Sequence, residues 1–165
     1  MINGTERLAC TTKVYDLNTE LITLAPMKGF PCQGDLVVDM HEFFAEFSGD
    51  WTYLKRIKNP ESTRMPPGIQ QFTRFENCIE CGACVSACPV NPKNKKFIGP
   101  AVLSAINIEI GKHPPKDEKL ISLAGSQRGA VLCEQALNCS RICPAGVYPA
   151  RHISDLRKLL AKRRL

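Results

Sequence analysis

The stretch Cys78-Ile79-Glu80-Cys81-Gly82-Ala83-Cys84-Val85-Ser86-Ala87-Cys88-Pro89 decides how this chain folds. Its spacing, Cys-x2-Cys-x2-Cys-x3-Cys-Pro, is the bacterial ferredoxin run, in which the fourth cysteine usually ligates a different cluster from the first three. A second array, Cys133-x5-Cys139-x3-Cys143-Pro144, ends in the same way. Together the arrays hold seven of the nine cysteines. Three thiolates separated by two residues each can wrap one face of a cubane and hold three iron corners. The remaining iron needs a cysteine from elsewhere, and Cys143 is the natural donor. Cys88 is then free to join Cys133 and Cys139 around a second cluster. That count gives four ligands to one cluster and three to the other, and it predicts electron transfer through two iron–sulfur clusters.

Two plainer readings fit less well. Tetrahedral zinc takes four ligands, usually from two well-separated Cys-x2-Cys pairs, and here there are seven cysteines in two runs. A disulfide framework needs an oxidising compartment, and no apolar segment with a basic start is read in the sequence. A reducing, cytosolic-type setting is expected.

The 165 residues suffice for one or two small domains. A hydrophobic content of 44% and a charged content of 23% are ordinary for a globular protein. No apolar run is long enough to cross a bilayer. The net charge of +6 is uneven. Arg151, Arg157, Lys158, Lys162, Arg163 and Arg164 face only Asp155 in the last fifteen residues, so that segment is +5 and the rest is +1. Such a tail suits a solvated helix end, where cations complement the dipole, or an acidic or membrane surface.

Working outward, the chain reads as mainly α. Leu8, Thr11, Thr12 and Val14, then Leu21 to Leu24, predict strands over 6–14 and 21–25 joined by the turn-rich 16–20. Two strands alone are marginal in water. Residues 26–34 read as a connector. Asp39 is placed to cap a helix over 40–51 whose Phe43, Phe44, Phe47 and Trp51 share a core face. Tyr53, Leu54 and Ile57 extend the pattern, and 59–68 reads as a linker. Ile98 to Ile110 predicts a helix ended by His113-Pro114-Pro115, with further helices over 118–124 and from Pro149. The 44 residues between Cys88 and Cys133 therefore read as helical, and the cluster unit is expected to be a helical ferredoxin. The organisation predicted is a β-hairpin over 1–27, a connector with helix over 28–70, and a two-cluster domain over 71–165.

These motifs resemble the iron–sulfur subunit of succinate dehydrogenase and fumarate reductase. The matches are the two cysteine arrays, Phe97-Ile98-Gly99-Pro100-Ala101, Ile2-Asn3-Gly4, Leu8-Ala9-Cys10 and Asp35-Leu36-Val37-Val38-Asp39. The resemblance implies a relay from a flavoprotein subunit to a quinone at a membrane anchor, on the inner face of the membrane. It implies that Cys78, Cys81, Cys84 and Cys143 hold a [4Fe–4S] cluster and that Cys88, Cys133 and Cys139 hold a [3Fe–4S] cluster. Ala136 stands where a fourth ligand to the second cluster would be, and a methyl group cannot bind iron. The resemblance also makes residues 1–27 the end of a plant-type [2Fe–2S] domain, with Cys10 at its fourth ligand position. The earlier Cys-x4-Cys-x2-Cys portion does not precede it. A fragment of a longer protein, a mis-started chain or a separate polypeptide would each account for that. The fragment is the expected case, because a hairpin with unpaired edges is a poor N-terminus.

In relatives that use quinone, the resemblance implies a pocket beside the [3Fe–4S] cluster lined by tryptophan, often histidine, and lysine. Here Val90-Asn91-Pro92, Glu134 and Ala145 stand at those places. A docking surface around Pro89, Val90, Glu134 and Ala136 is expected, with its quinone chemistry altered. Cys32 is expected to be a small buried hydrophobe. His41, His113 and His152 are given no ligand role. An iron–sulfur subunit of heterodisulfide reductase type is the near alternative, although such subunits usually carry two complete four-cysteine arrays. A nucleic-acid-binding protein with a structural cluster is the distant one, and the near-neutral body argues against it. No flavin or nucleotide fingerprint appears, so the chain is not expected to be a complete enzyme.

Overall fold

The computed structural model describes residues 1–47, 78–112 and 118–163. Its centre is α3 (Gly99–Lys112), preceded by β1 (Cys32–Gly34), β2 (Val37–Val38), α1 (His41–Ala45) and α2 (Ala83–Ser86). After it come α4 (Glu118–Gly125), α5 (Asn138–Arg141) and α6 (Pro149–Arg163). Short 3₁₀ turns lie at Ala9–Thr11, Val14–Leu17 and Ala130–Leu132.

The sequence of α3 is mostly apolar around its circumference, and a helix of that kind belongs in the core, here with Ser104, Asn107 and Glu109 buried as well. Val102, Leu103, Ser104, Ala105 and Ile106 are all at most 1% exposed. The one hydroxyl among them is satisfied locally: Ser104 Oγ donates to the Pro100 carbonyl at 2.8 Å. α6 is two-faced and lays His152, Ile153 and Leu156 against α3. The two helices share a buried polar contact, Asn107 Nδ2 to His152 Nδ1 at 3.1 Å. Burial lowers the His152 pKa from 6.5 to about 4, so the ring is neutral at physiological pH. α4 packs on both helices, and Leu160 of α6 comes so close to Gly125 that an added Cβ would lie 3.0 Å from it. The helices therefore lie where the apolar periodicity puts them.

The N-terminal prediction is corrected. Residues 6–14 and 21–25 form no strand pair. Residues 9–17 instead make the two 3₁₀ turns, and the only pairing there is by single bridges from Ile2 to Thr5 and to Leu24. Asn3 and Thr23 exchange bonds: the Asn3 amide donates to the Thr23 carbonyl, and the Thr23 amide donates to Asn3 Oδ1. Strand propensity is realised only against a neighbour that covers one face. Val14, Tyr15 and Leu21 have no such cover, and Tyr15 is 94% exposed. The antiparallel hairpin lies further on, in the stretch read as a connector, where β1 pairs with β2 through Cys32–Val38.

Asp39 acts as expected, its Oδ1 accepting the His41 amide at 2.8 Å. Phe43 and Phe47 are buried and meet edge to face at 5.1 Å, but Phe44 is half exposed and not part of the core face predicted for it. α1 stops at Ala45, short of the described Glu46 and Phe47; residues 48–51 of the 40–51 prediction, and those for Tyr53 to Gly68, lie outside the described residues. Arg128 links the ends of the fold, pairing with Glu46 and donating from Nε to the Lys96 carbonyl at 2.9 Å.

Candidate metal centre

Two loops of the same design carry the arrays. In the first, Glu80 (φ 51°) and Gly82 (φ 74°) are left-handed, and the Gly82 carbonyl then accepts the Val85 and Ser86 amides to start α2. In the second, Gln135 (φ 58°) and Leu137 (φ 63°) are left-handed, and the Leu137 carbonyl accepts the Ser140 and Arg141 amides to start α5. Cys84 and Cys139 are each the second residue of their helix, and Cys88 and Cys143 follow four residues later. Gly82 is required twice over. Its φ disfavours a side chain, and a Cβ would sit 2.9 Å from Met40 Cε and 3.0 Å from Phe30 Cζ. Leu137 adopts the same conformation at a cost on the order of 1–2 kcal/mol.

The two short helices pack together, and each sends its pair of cysteines to opposite sides. Cys78, Cys81, Cys84 and Cys143 line one pocket of about 430 Å³, open mouth included. Cys88, Cys133 and Cys139 line a second of about 340 Å³. Ala101, Ser104, Val147 and Pro149 close the back of the first, while Phe97, Pro100, Ala150 and Ile153 close the second. Pro89, Val90, Glu134 and Ala136, the residues expected to form an acceptor surface, all line the second pocket.

Burial raises the pKa of several of these thiols. Cys78 and Cys139 are pushed up to about 11, Cys88 is raised, and Cys84 is raised well above the ordinary value. For Cys84 burial acts first, followed by the negative charge that Cys78, Cys139, Cys81 and Cys143 would carry. Cys84 itself lines the first pocket, and the two pockets adjoin where successive residues line one and the other, Ala101 and Pro100 on α3 and Pro149 and Ala150 on α6. Thiols in such surroundings favour the protonated form unless a cation compensates, so metal binding there must release protons. The Val147 amide donates to Cys143 Sγ at 3.3 Å, which favours a charged sulfur at that position. Among the described residues no three His, Cys, Asp or Glu side chains converge closely enough to hold one metal ion. The cysteines instead stand around the pocket walls.

The remaining cysteines stay apart from both pockets. Cys10 is exposed in the first 3₁₀ turn. Cys32 is also exposed, in β1, with its sulfur 3.7 Å from the Asp35 carbonyl. The expectation that Cys32 is buried is therefore wrong: the hairpin it begins lies on the surface, where an apolar side chain gains no cover. Two residues at the second pocket were not foreseen. Lys93 pairs with Glu134 at 3.5 Å on the rim, and Arg157 Nη1 donates to the Cys133 carbonyl at 3.0 Å. Arg157 had a signal, since Ala150, Ile153 and Arg157 recur at helical spacing along α6.

Two family models match the chain: a 4Fe-4S dicluster domain over residues 74–147 and a 2Fe-2S iron-sulfur cluster binding domain over residues 1–45. The fumarate reductase iron-sulfur subunit of Wolinella succinogenes is 31% identical over 166 residues, covering 96% of this chain and 70% of that protein. The succinate dehydrogenase iron-sulfur subunit of Coxiella burnetii is 30% identical, covering 94% and 68%. The fumarate reductase iron-sulfur subunit of Mycobacterium tuberculosis is 34% identical over 157 residues, and there the chain spans 90% of itself but only 63% of the relative. A chain of the Mycobacterium smegmatis Sdh1 complex in the apo form has the same fold, with a TM-score of 0.81 at 24% identity, over 98% of this chain and 71% of that one. The fold and the cysteine-lined pockets define an iron–sulfur protein of ferredoxin type. This chain belongs to the family of succinate dehydrogenase and fumarate reductase iron–sulfur subunits.

Proposed function

We propose that this chain is an electron-transfer subunit that passes electrons between a flavoprotein subunit of succinate or fumarate type and an acceptor at a membrane anchor. The observation that carries this reading is the four-and-three division of the cysteines between two adjoining pockets. In it, Cys78, Cys81, Cys84 and Cys143 hold a [4Fe–4S] cluster, and Cys88, Cys133 and Cys139 hold a [3Fe–4S] cluster. Bound in these pockets, the clusters supply one-electron transfer. The chain's own part is to present thiolates on the pocket walls, exclude water with Val147, Phe97 and Ile153, and keep the two sites adjacent through α3 and α6, which line both. The wide spacing of the cysteines fits a multi-iron group better than a zinc ion, whose four sulfurs would lie about 2.3 Å from one point.

The matches at 1–45 and 74–147 support two units, and we infer that the second is the two-cluster domain expected over 71–165, while the boundary expected at residue 27 falls inside the first. The first match runs beyond residue 27, so the first unit extends into the β1–β2 hairpin and α1. Cys10 belongs to a [2Fe–2S] site only if another segment supplies the remaining ligands, since seven of the other eight cysteines line the two pockets. No described helix is long and apolar enough to cross a membrane, so attachment to a membrane face would come through partner subunits. Nucleic acid has no place in this account: the basic tail is partly engaged within the fold, Arg163 making a bidentate pair with Glu118 at 2.6 and 2.9 Å.

The acceptor side lies at Pro89, Val90, Glu134 and Ala136. Glu134 is an acceptor-only group at neutral pH and cannot replace a hydrogen-bond donor to a quinone. A quinone posed mainly by the anchor subunit, or a protein acceptor, suits this rim. The test is quinone reduction by the purified complex, with quinone-site inhibitors and with Glu134→Gln. Activity indifferent to Glu134→Gln supports the reading, with inhibitor sensitivity pointing to a quinone posed by the anchor and insensitivity to a protein acceptor. Fast turnover that is blocked by the inhibitors and depends on residue 134 contradicts it.

A further inference from the structure

The second pocket has one loop ligand fewer than the first, yet its backbone follows the same path. Something other than a fourth thiolate must hold residues 133–137 in place. Three contacts from outside the loop reach this region. Arg157 Nη1 donates to the Cys133 carbonyl at 3.0 Å, Lys93 pairs with Glu134 at 3.5 Å, and Asn138 Nδ2 donates to the Ala87 carbonyl at 3.3 Å. The last two lie at the exposed surface, while the Arg157 bond is part-buried. Arg157 projects from α6 one turn after Ile153, which lines the pocket, so its position is fixed by the helix that forms the pocket's back wall.

We infer that Arg157 is a positioning residue of the second pocket: it anchors the Cys133 peptide and places a permanent positive charge against the centre held there, raising that centre's affinity for an electron. The inference rests on the cluster reading above. The physics is direct. Reduction adds a negative charge, and a half-buried guanidinium bonded to the peptide of a lining cysteine is less screened than one in bulk water. Reduction potentials of iron–sulfur centres respond to net charge and to hydrogen bonding around the ligands. Glu134 opposes this effect, but Lys93 offsets it on the rim. Neither pocket has an Arg or Lys in its lining, and each has one glutamate there, Glu80 in the first and Glu134 in the second; Arg157 reaches the second through the Cys133 carbonyl.

The experiment is an EPR-monitored redox titration of the full chain, isolated anaerobically with its iron, as wild type, Arg157→Gln and Arg157→Lys. Arg157→Gln is expected to disfavour the reduced form of the second centre about tenfold, which is about 59 mV for one electron. Arg157→Lys keeps the charge and should stay near wild type, and the first centre should not move in either variant. An unchanged second centre in Arg157→Gln overturns the inference alone, as does an equal drop in both variants. Should Arg157→Gln fail to retain the centre, Arg157→Lys decides: a wild-type potential supports the inference and a lowered one overturns it. A wild-type chain with no one-electron centre in the second pocket overturns the cluster reading and this inference with it.

Discussion

Ala136 occupies in the second loop the place that Cys81 occupies in the first. Each lies between two left-handed residues, Glu80 and Gly82 around Cys81, Gln135 and Leu137 around Ala136. Each also lines its own pocket. The loops share one backbone form with a cysteine in the first and an alanine in the second, and the difference is a matter of a side chain and not of the backbone.

Ala136→Cys should therefore supply a fourth thiolate without refolding the loop. The expected result is a gain of about one iron per chain and loss of the oxidised-state EPR signal of a three-iron centre. An unchanged iron content after anaerobic reconstitution would count against the equivalence of the two loops.

Gly82→Ala should be destabilising well beyond an ordinary surface change. The left-handed φ of 74° alone costs about 1–2 kcal/mol, and the new Cβ would press on Met40 and Phe30. Thermal unfolding should fall by several degrees, with partial loss of the first cluster. Gly4→Ala is a useful control, since its φ is also positive but nothing lies within 4 Å.

His152 gives a pH dependence of known sign. Its pKa is about 4 in the fold and 6.5 in the unfolded chain, so the unfolded state binds more protons between those values. The stability its neutral form contributes is complete above pH 6.5 and is lost as pH falls toward 4, by up to about 3 kcal/mol. Urea unfolding at pH 7 and pH 4.5 should show this loss, and His152→Gln should show a smaller one. Equal losses in both proteins would remove His152 as the cause.

Cysteine alkylation separates ligands from bystanders. In the iron-loaded chain Cys10 and Cys32, both exposed, should react with iodoacetamide, and the seven pocket cysteines should not. Mass spectrometry should find two adducts. Protection of Cys10 in this chain by itself would mean that it has a partner here.

The grouping of seven cysteines into four and three was legible in the sequence because their spacing is set by covalent geometry and does not depend on the rest of the fold. The helices α3, α4 and α6 were legible for a similar reason: Ile98 to Ile110 and Ile153, Leu156 and Leu160 repeat at the helical period. The N-terminal strands were misread because β-propensity at Val14 and Leu21 depends on a neighbour that the stretch lacks. The real hairpin hid in the connector, since Cys32–Gly34 and Val37–Val38 are too short for alternation to register. The swap of cysteines between pockets could be counted from sequence, but not the role of Leu137, whose left-handed backbone nothing in its side chain announces. Arg157 was counted only as part of a basic tail; its bond to the Cys133 carbonyl joins residues 24 apart in sequence.

The central claim is that two iron–sulfur centres, one with four cysteine ligands and one with three, sit side by side in this chain. Metal analysis combined with EPR of the anaerobically isolated, air-unexposed chain tests it most directly. The account predicts about seven irons per chain with matching sulfide, and an oxidised-state signal from a three-iron centre. It also predicts loss of that signal, but not of the four-iron centre, in Cys133→Ser. One or two zinc ions with no sulfide, or about eight irons with no oxidised-state signal, would contradict it.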